Sequence, residues 1–205
     1  MKVKIAIFGA TGGTGLEATK QALANGDNVT ALVRTPSKLA ITDEKLTIIE
    51  GNILDQNAVE QVVAGQDAVI VSIRKTDNNP DQLVSKGTRI VIDAMQRFGV
   101  QRLVVVTAIG VGDSKNNVPL FFKALMKTIL KEAYADMEVQ EQAIRESGLD
   151  WIVVRPGGLT DNAATGEYEV GLDIKGSQVA RADVAAFLLQ QITDDTYLRK
   201  AVSIS

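Results

Sequence analysis

Near its amino end the chain reads Gly9-Ala10-Thr11-Gly12-Gly13-Thr14-Gly15, a GxxGxxG spacing set directly behind the apolar run Lys4-Ile5-Ala6-Ile7-Phe8. A helix-forming stretch, Leu16 to Asn25, follows without a gap. Strand, glycine turn and helix in this order predict one local geometry. Gly9 permits a tight exit from the strand. Gly12 lets the main chain approach a bulky anion with no Cβ in the way, and Gly15 lets the helix lie close to the sheet. The helix start then aims unpaired N–H groups and partial positive charge at whatever the turn holds. A dinucleotide pyrophosphate fits such a cradle. The Thr11 and Thr14 hydroxyls can add donors beside the main chain of Gly13.

The rest of the chain repeats the alternation. Apolar runs rich in Val and Ile stand at Val3–Phe8, Asn28–Val33, Leu46–Glu50, Ala68–Ser72, Leu103–Thr107 and Trp151–Arg155. They are apolar at nearly every position, as strands buried on both faces are. Helical stretches lie between them at Gly15–Asn25, Gln56–Ala64, Gln82–Phe98 and Phe121–Ser147, with Gly26, Gly99 and Gly148 placed as C-caps. The pattern predicts an α/β fold: a Rossmann-type, doubly wound parallel sheet in strand order 3-2-1-4-5-6, as a single domain over residues 1–205. A small substrate-side extension follows, with a strand at Glu167–Leu172, a helix at Ala182–Ile192 with Arg181 and Asp183 near its start, and a last strand at Ala201–Ile204. The loop-like stretches Asp77–Asp81 and Asp113–Pro119 are expected at the carboxyl edge of the sheet, where such folds bind ligands.

The end of the second strand distinguishes between dinucleotides. A site for NAD places an acid there to hold the ribose 2′-hydroxyl. This chain has Arg34-Thr35-Pro36-Ser37-Lys38 instead. Arg34 and Lys38 can bracket a 2′-phosphate, with Ser37 and Thr35 as hydroxyl donors, and a guanidinium suits phosphate by bidentate hydrogen bonding. NADP(H) is therefore the expected cofactor. After the third strand, Asn52 can bond the adenine and Ile53 can cover its face. Asp55 is either part of that turn or the N-cap of the next helix.

Composition narrows the chemistry. Among 205 residues there is neither Cys nor His. Thiolate nucleophiles, disulfides, Cys-based metal sites and Ser-His-Asp triads are excluded, and no metal is expected. The net charge of −3 and pI near 5.1 argue against nucleic-acid or anionic-membrane partners. No apolar run is long enough to span a bilayer, and the start lacks a signal-peptide pattern. A cytoplasmic protein is the expectation.

The turn GATGGTG, the Leu32-Val33-Arg34 strand ending and the block Val63 to Val71 resemble the atypical short-chain dehydrogenases/reductases with a single NAD(P)-binding domain. Within that group the chain is most similar to the flavin reductase/biliverdin-IXβ reductase family. Arg145 to Leu149 and Thr165-Gly166 share in the likeness. The segment Arg155 to Asp161 resembles a wider bacterial set of NAD(P)-binding proteins. Two departures bear on chemistry. Ala108 and Gly158 stand where mammalian members carry a serine and a histidine. The wider family's Tyr-x-x-x-Lys is also absent: Tyr134-Ala135-Asp136-Met137-Glu138 has Glu in the lysine position. A carboxylate there would raise the phenol's pKa, so Tyr134 is either a proton donor or a helix-packing residue.

Alcohol–ketone interconversion needs a positioned proton donor. Reduction of a flavin or a linear tetrapyrrole does not, because a conjugated ring system spreads the arriving charge. The resemblance implies an NADPH-dependent reductase of such an acceptor, or of a quinone, working mainly by positioning. A non-catalytic NADP(H)-binding redox sensor is the alternative. Expected cofactor contacts beyond the glycine turn are Ser72, Ile73 and Arg74, then Thr107 and Pro156 beside the nicotinamide, with the main chain of Gly157, Gly158 and Leu159 on its carboxamide. Ala108, Ile109, Phe121 and Phe122 are expected as acceptor walls, the two phenylalanines either stacking on it or packing in the core. Arg74, Lys75 and Lys123 either attract the acceptor's acidic groups or are solvated. A monomer or small homo-oligomer is expected.

Overall fold

A computed structural model describes residues 2–74, 82–118 and 120–205, and of Leu120, Phe121 and Lys127 the main chain alone. β1 (Lys4–Phe8) passes through the glycine turn into α1 (Gly13–Ala24) and returns as β2 (Asn28–Val33). β3 (Leu46–Glu50), α2 (Gln56–Val63), β4 (Ala68–Val71), α3 (Leu83–Phe98) and β5 (Arg102–Val106) continue the alternation. α4 (Leu120–Lys127) and α5 (Lys131–Glu146) precede β6 (Asp150–Pro156). The carboxyl-terminal part adds β7 (Gly158–Thr160), β8 (Val170–Gly171), β9 (Gln178–Ala180), α6 (Arg181–Gln190) and β10 (Ala201–Ile204).

The main sheet has the order β3-β2-β1-β4-β5-β6-β10-β8. Every pairing is parallel except β10 with β8. The order expected from sequence is present and is extended by β10. Chain direction across the sheet reverses between β1 and β4, which opens a crevice at their carboxyl ends. β7 and β9 form a separate parallel pair above that edge.

Continuous apolar strands are required because both faces are covered. Along β1, Ile5 and Ile7 pack with Ala18 and Ala22 of α1 and Val184 and Leu188 of α6. Ala6 and Phe8 point the other way, to Val91 and Met95 of α3 and Ile144 of α5. Each β1 residue from Ile5 to Phe8 is at most 1% exposed. At about 1.5–3 kcal/mol per large side chain, the two layers supply the main driving force for folding.

Several boundaries differ from expectation. The stretch Phe121–Ser147 is not one helix. α4 ends at Lys127 because the Thr128 hydroxyl donates to the carbonyls of Ala124 and Leu125, and Leu130 N–H returns to Leu125. These bonds replace the helical ladder at a β-branched pair. The strand expected over Glu167–Leu172 is cut to Val170–Gly171. The Thr165 hydroxyl and the Asp183 carboxylate hold residues 165–167 in a turn, so pairing with β10 begins late. α1 starts at Gly13, which places Gly15 inside its first turn, and α6 starts at Arg181. The segment Asp113–Pro119 carries a 3-10 turn over Gly112–Asn116. Lys75 and the stretch Asp77–Asp81 lie outside the described residues.

Candidate functional site

A cleft of about 330 Å³ lies at the carboxyl ends of β1 to β4. Its floor is the glycine turn. Gly9 has φ +95°, and a Cβ there would stand 2.2 Å from the Ser72 carbonyl oxygen. A Cβ on Gly15 would stand 2.2 Å from the Gly9 carbonyl oxygen. The turn is therefore folded against β4 and against itself so tightly that these positions admit no side chain. Gly12 is different, since the nearest atom to a Cβ there is Gly9 O at 3.3 Å. Its open side faces the cleft, which it lines together with Thr11. α1 begins with no side-chain cap and no acid in its first turn. Its first N–H groups have no intrahelical acceptor, so the helix start is suited to an anion.

Arg34, Lys38, Asn52, Ile53, Ser72, Ile73 and Arg74 line the same cleft. Three of these are cations, and no acid lines the cleft among the described residues. The sequence-predicted cofactor residues from four strand ends thus share one surface. Others do not reach it. Ser37 is exposed on the neighbouring 3-10 turn, and Thr14 is buried in α1. The Asn52 carboxamide accepts from Leu54 N–H at 3.1 Å, a local turn. Asp55 caps α2, accepting from Asn57 and Ala58 N–H at 3.0 and 3.3 Å.

Further along the edge, past the ends of β5 and β6, a second pocket measures about 430 Å³. Ala108, Ile109, Pro156, Gly157 and Gly158 line it with Phe122 and Tyr134. Tyr134 OH donates to the Ile109 carbonyl at 3.1 Å, and burial pushes its pKa up to about 12. The expected influence of Glu138 needs correction: that carboxylate turns away to Lys115 at 2.7 Å. The Phe122 ring meets the Tyr134 ring edge-on, centroids 6.4 Å apart. Lys123 bonds Asn116 at 3.2 Å, and Leu159 packs on the core; neither lines the pocket. The Phe121 side chain lies outside the described residues.

Beneath the β5 end lies a charged network that sequence reasoning missed. Thr107, 7% exposed, donates its hydroxyl to Glu141 at 2.9 Å. Arg155 donates Nε and Nη2 to the same carboxylate at 2.9 and 2.6 Å, and Nη1 to Asp113. Burial works against ionised Asp113, but the bond and charge of Arg155 outweigh it and hold the acid below its usual range. The available signal was a lone arginine ending the apolar run Trp151–Val154, which demands a buried partner. The walls from Gly176 to Gln178 were missed too, for no periodicity marks them.

A family model described as NAD(P)H-binding matches residues 9–195. The chain is 27% identical over 224 residues to oxidoreductase stcQ of Emericella nidulans, covering 97% of this chain and 81% of that one. In structure it is similar to ChuY of Escherichia coli O157:H7, an anaerobillin reductase, with TM-score 0.85, 26% identity and coverage of 98% and 96%. It is also similar in fold to a Veillonella parvula short-chain dehydrogenase/reductase in complex with NADP, with TM-score 0.85, 19% identity and coverage of 100% and 95%.

Proposed function

From the premise that the chain belongs to the NAD(P)H-binding family, among Rossmann-fold relatives of ChuY-type reductases, we propose that it is a reductase that uses NADPH to reduce a flavin or a biliverdin-like tetrapyrrole. The observation that carries the reading is the sequence of two cavities along one sheet edge. A cation-lined cleft with a glycine floor precedes an apolar pocket with a proline and glycine wall. The first suits a dinucleotide's phosphates, the second a flat ring system.

In this reading the α1 start and Gly12 hold the pyrophosphate, while Arg34 and Lys38 take the 2′-phosphate. Thr107, Pro156 and the main chain of Gly157 and Gly158 border the nicotinamide, which supplies hydride when bound. Ala108, Ile109, Phe122 and Tyr134 shape the acceptor side and exclude water. Tyr134, with its proton held by the Ile109 carbonyl, serves as a wall. Orientation of two partners at effective molarities of roughly 10⁵ M or more can carry much of the rate without an acid or base.

The test mixes purified protein with NADPH and riboflavin, FMN or a biliverdin and follows the nicotinamide absorbance. Turnover is expected. Arg34→Ala should weaken NADPH about tenfold or more while leaving NADH nearly unchanged, since it removes a charge-assisted contact specific to the 2′-phosphate. Tight NADPH binding with no turnover on any of these acceptors would support a redox sensor instead. Equal effects of Arg34→Ala on both dinucleotides would overturn the choice of NADPH.

A further inference from the structure

The start of α6 lies alongside the third turn of α1, and one side chain reaches from it back to the glycine turn. α1 and α6 both leave the carboxyl edge and run back on the same face of the sheet, and Gln21 of α1 donates to the Ala182 carbonyl at 2.9 Å. α6 carries Asp183 in its first turn, whereas α1 has neither acid nor cap. Arg181, the first residue of α6, lies across the start of α1. A Cβ on Gly13 would stand 2.4 Å from Arg181 Cδ and 2.6 Å from its Nε. A guanidinium against the positive end of an uncapped helix sets like charges together, an arrangement whose energy falls when an anion lies between them.

The partner that Arg181 has is a loose one. Its Nη1 meets Asp161 Oδ1 at 2.6 Å, and the Asp161 side chain is 88% exposed. Ion pairs that open to water contribute little. We propose that Arg181 is a ligand of the dinucleotide's pyrophosphate and that Asp161 is a holding partner which the phosphate displaces. The inference rests on reading the glycine turn as the pyrophosphate seat. It also gives Gly13 a purpose distinct from that of its neighbours, because a side chain there would push the arginine off the helix start.

Calorimetric titration of the full chain with NADPH, NADH and adenosine 2′-monophosphate tests it, using wild type, Arg181→Gln and Asp161→Asn. Arg181→Gln should weaken both dinucleotides alike, about tenfold to a hundredfold, and leave the monophosphate, which has no pyrophosphate, unchanged. Asp161→Asn should tighten both dinucleotides about two- to fivefold by releasing the guanidinium. If Arg181→Gln binds like wild type, the proposal is overturned while the cofactor reading stands. If Asp161→Asn weakens binding as much as Arg181→Gln, the pair braces a loop and the proposal is again overturned. If wild type takes up neither dinucleotide at millimolar concentration, both readings fall. Should Arg181→Gln melt far below wild type, Asp161→Asn alone decides, tighter binding supporting the role and weaker binding refuting it.

Discussion

Arg155 is 1% exposed, and its place in the strand is tenable because Glu141 accepts two of its N–H groups. Such a pair returns little net stability, since desolvation offsets attraction, but breaking it strands a buried charge. Arg155→Met should therefore cost about 3–5 kcal/mol in urea unfolding at neutral pH, and the double variant Arg155→Met/Glu141→Leu should recover most of it. A double variant as unstable as the single one would show that the pair holds its place by shape and not by charge. The pair has a functional position as well. Glu141 also fixes the Thr107 hydroxyl, and Thr107 leads directly into Ala108 and Ile109 of the apolar pocket. Arg155 itself was visible in the sequence as a charge in an apolar run. Its partner was not, because Glu141 comes from a helix whose contact with β6 is set by tertiary packing.

Among the elements, the turn at Thr165 and Gly166 is tied to the start of α6 by the Asp183 carboxylate. Asp183 accepts from Thr165 N–H, Gly166 N–H and the Thr165 hydroxyl at 2.9 to 3.1 Å. Burial opposes its ionisation, yet these three donors outweigh burial and hold its pKa below the usual value. The folded-state pKa thus lies below the unfolded one. The contribution is present at neutral pH and is lost as pH falls through the folded value. Asp183→Asn should lower the melting temperature at about pH 7, and the gap to wild type should close toward about pH 3. A gap independent of pH would mean that the loss comes from shape and not from the carboxylate's charge. Elements differ in how far sequence exposes them. β1 and α1 were legible because an apolar run, three spaced glycines and a helix stretch all specify the same geometry. The break between α4 and α5 was not, since Thr128 interrupts the helix through bonds to its own preceding turn, which leave the apolar pattern unbroken. The shortness of β8 was also hidden, because its start is limited by Asp183 from a helix later in the chain.

For the whole molecule, both cavities gather on one sheet edge because every strand from β1 to β6 runs the same way and delivers its following loop to the same side. The chain brings very little proton chemistry to that edge. It has no His and no Cys, and the tyrosine in the apolar pocket is pushed up to about 12. Carboxylates ordinarily titrate well below neutrality and lysines well above it, so side-chain charge along that edge hardly changes between about pH 7 and about pH 9. The second phosphate ionisation of NADPH, near pH 6, lies outside that range too. If hydride transfer works by positioning, kcat for riboflavin, which carries no phosphate, should be nearly flat from about pH 7 to about pH 9 under saturating NADPH. Stopped-flow measurement of the transfer step across this range checks it. A tenfold slope with an apparent pKa inside the window would reveal a titrating donor at the site and overturn catalysis by orientation alone, whereas a flat profile that survives Tyr134→Phe would assign that side chain to the wall.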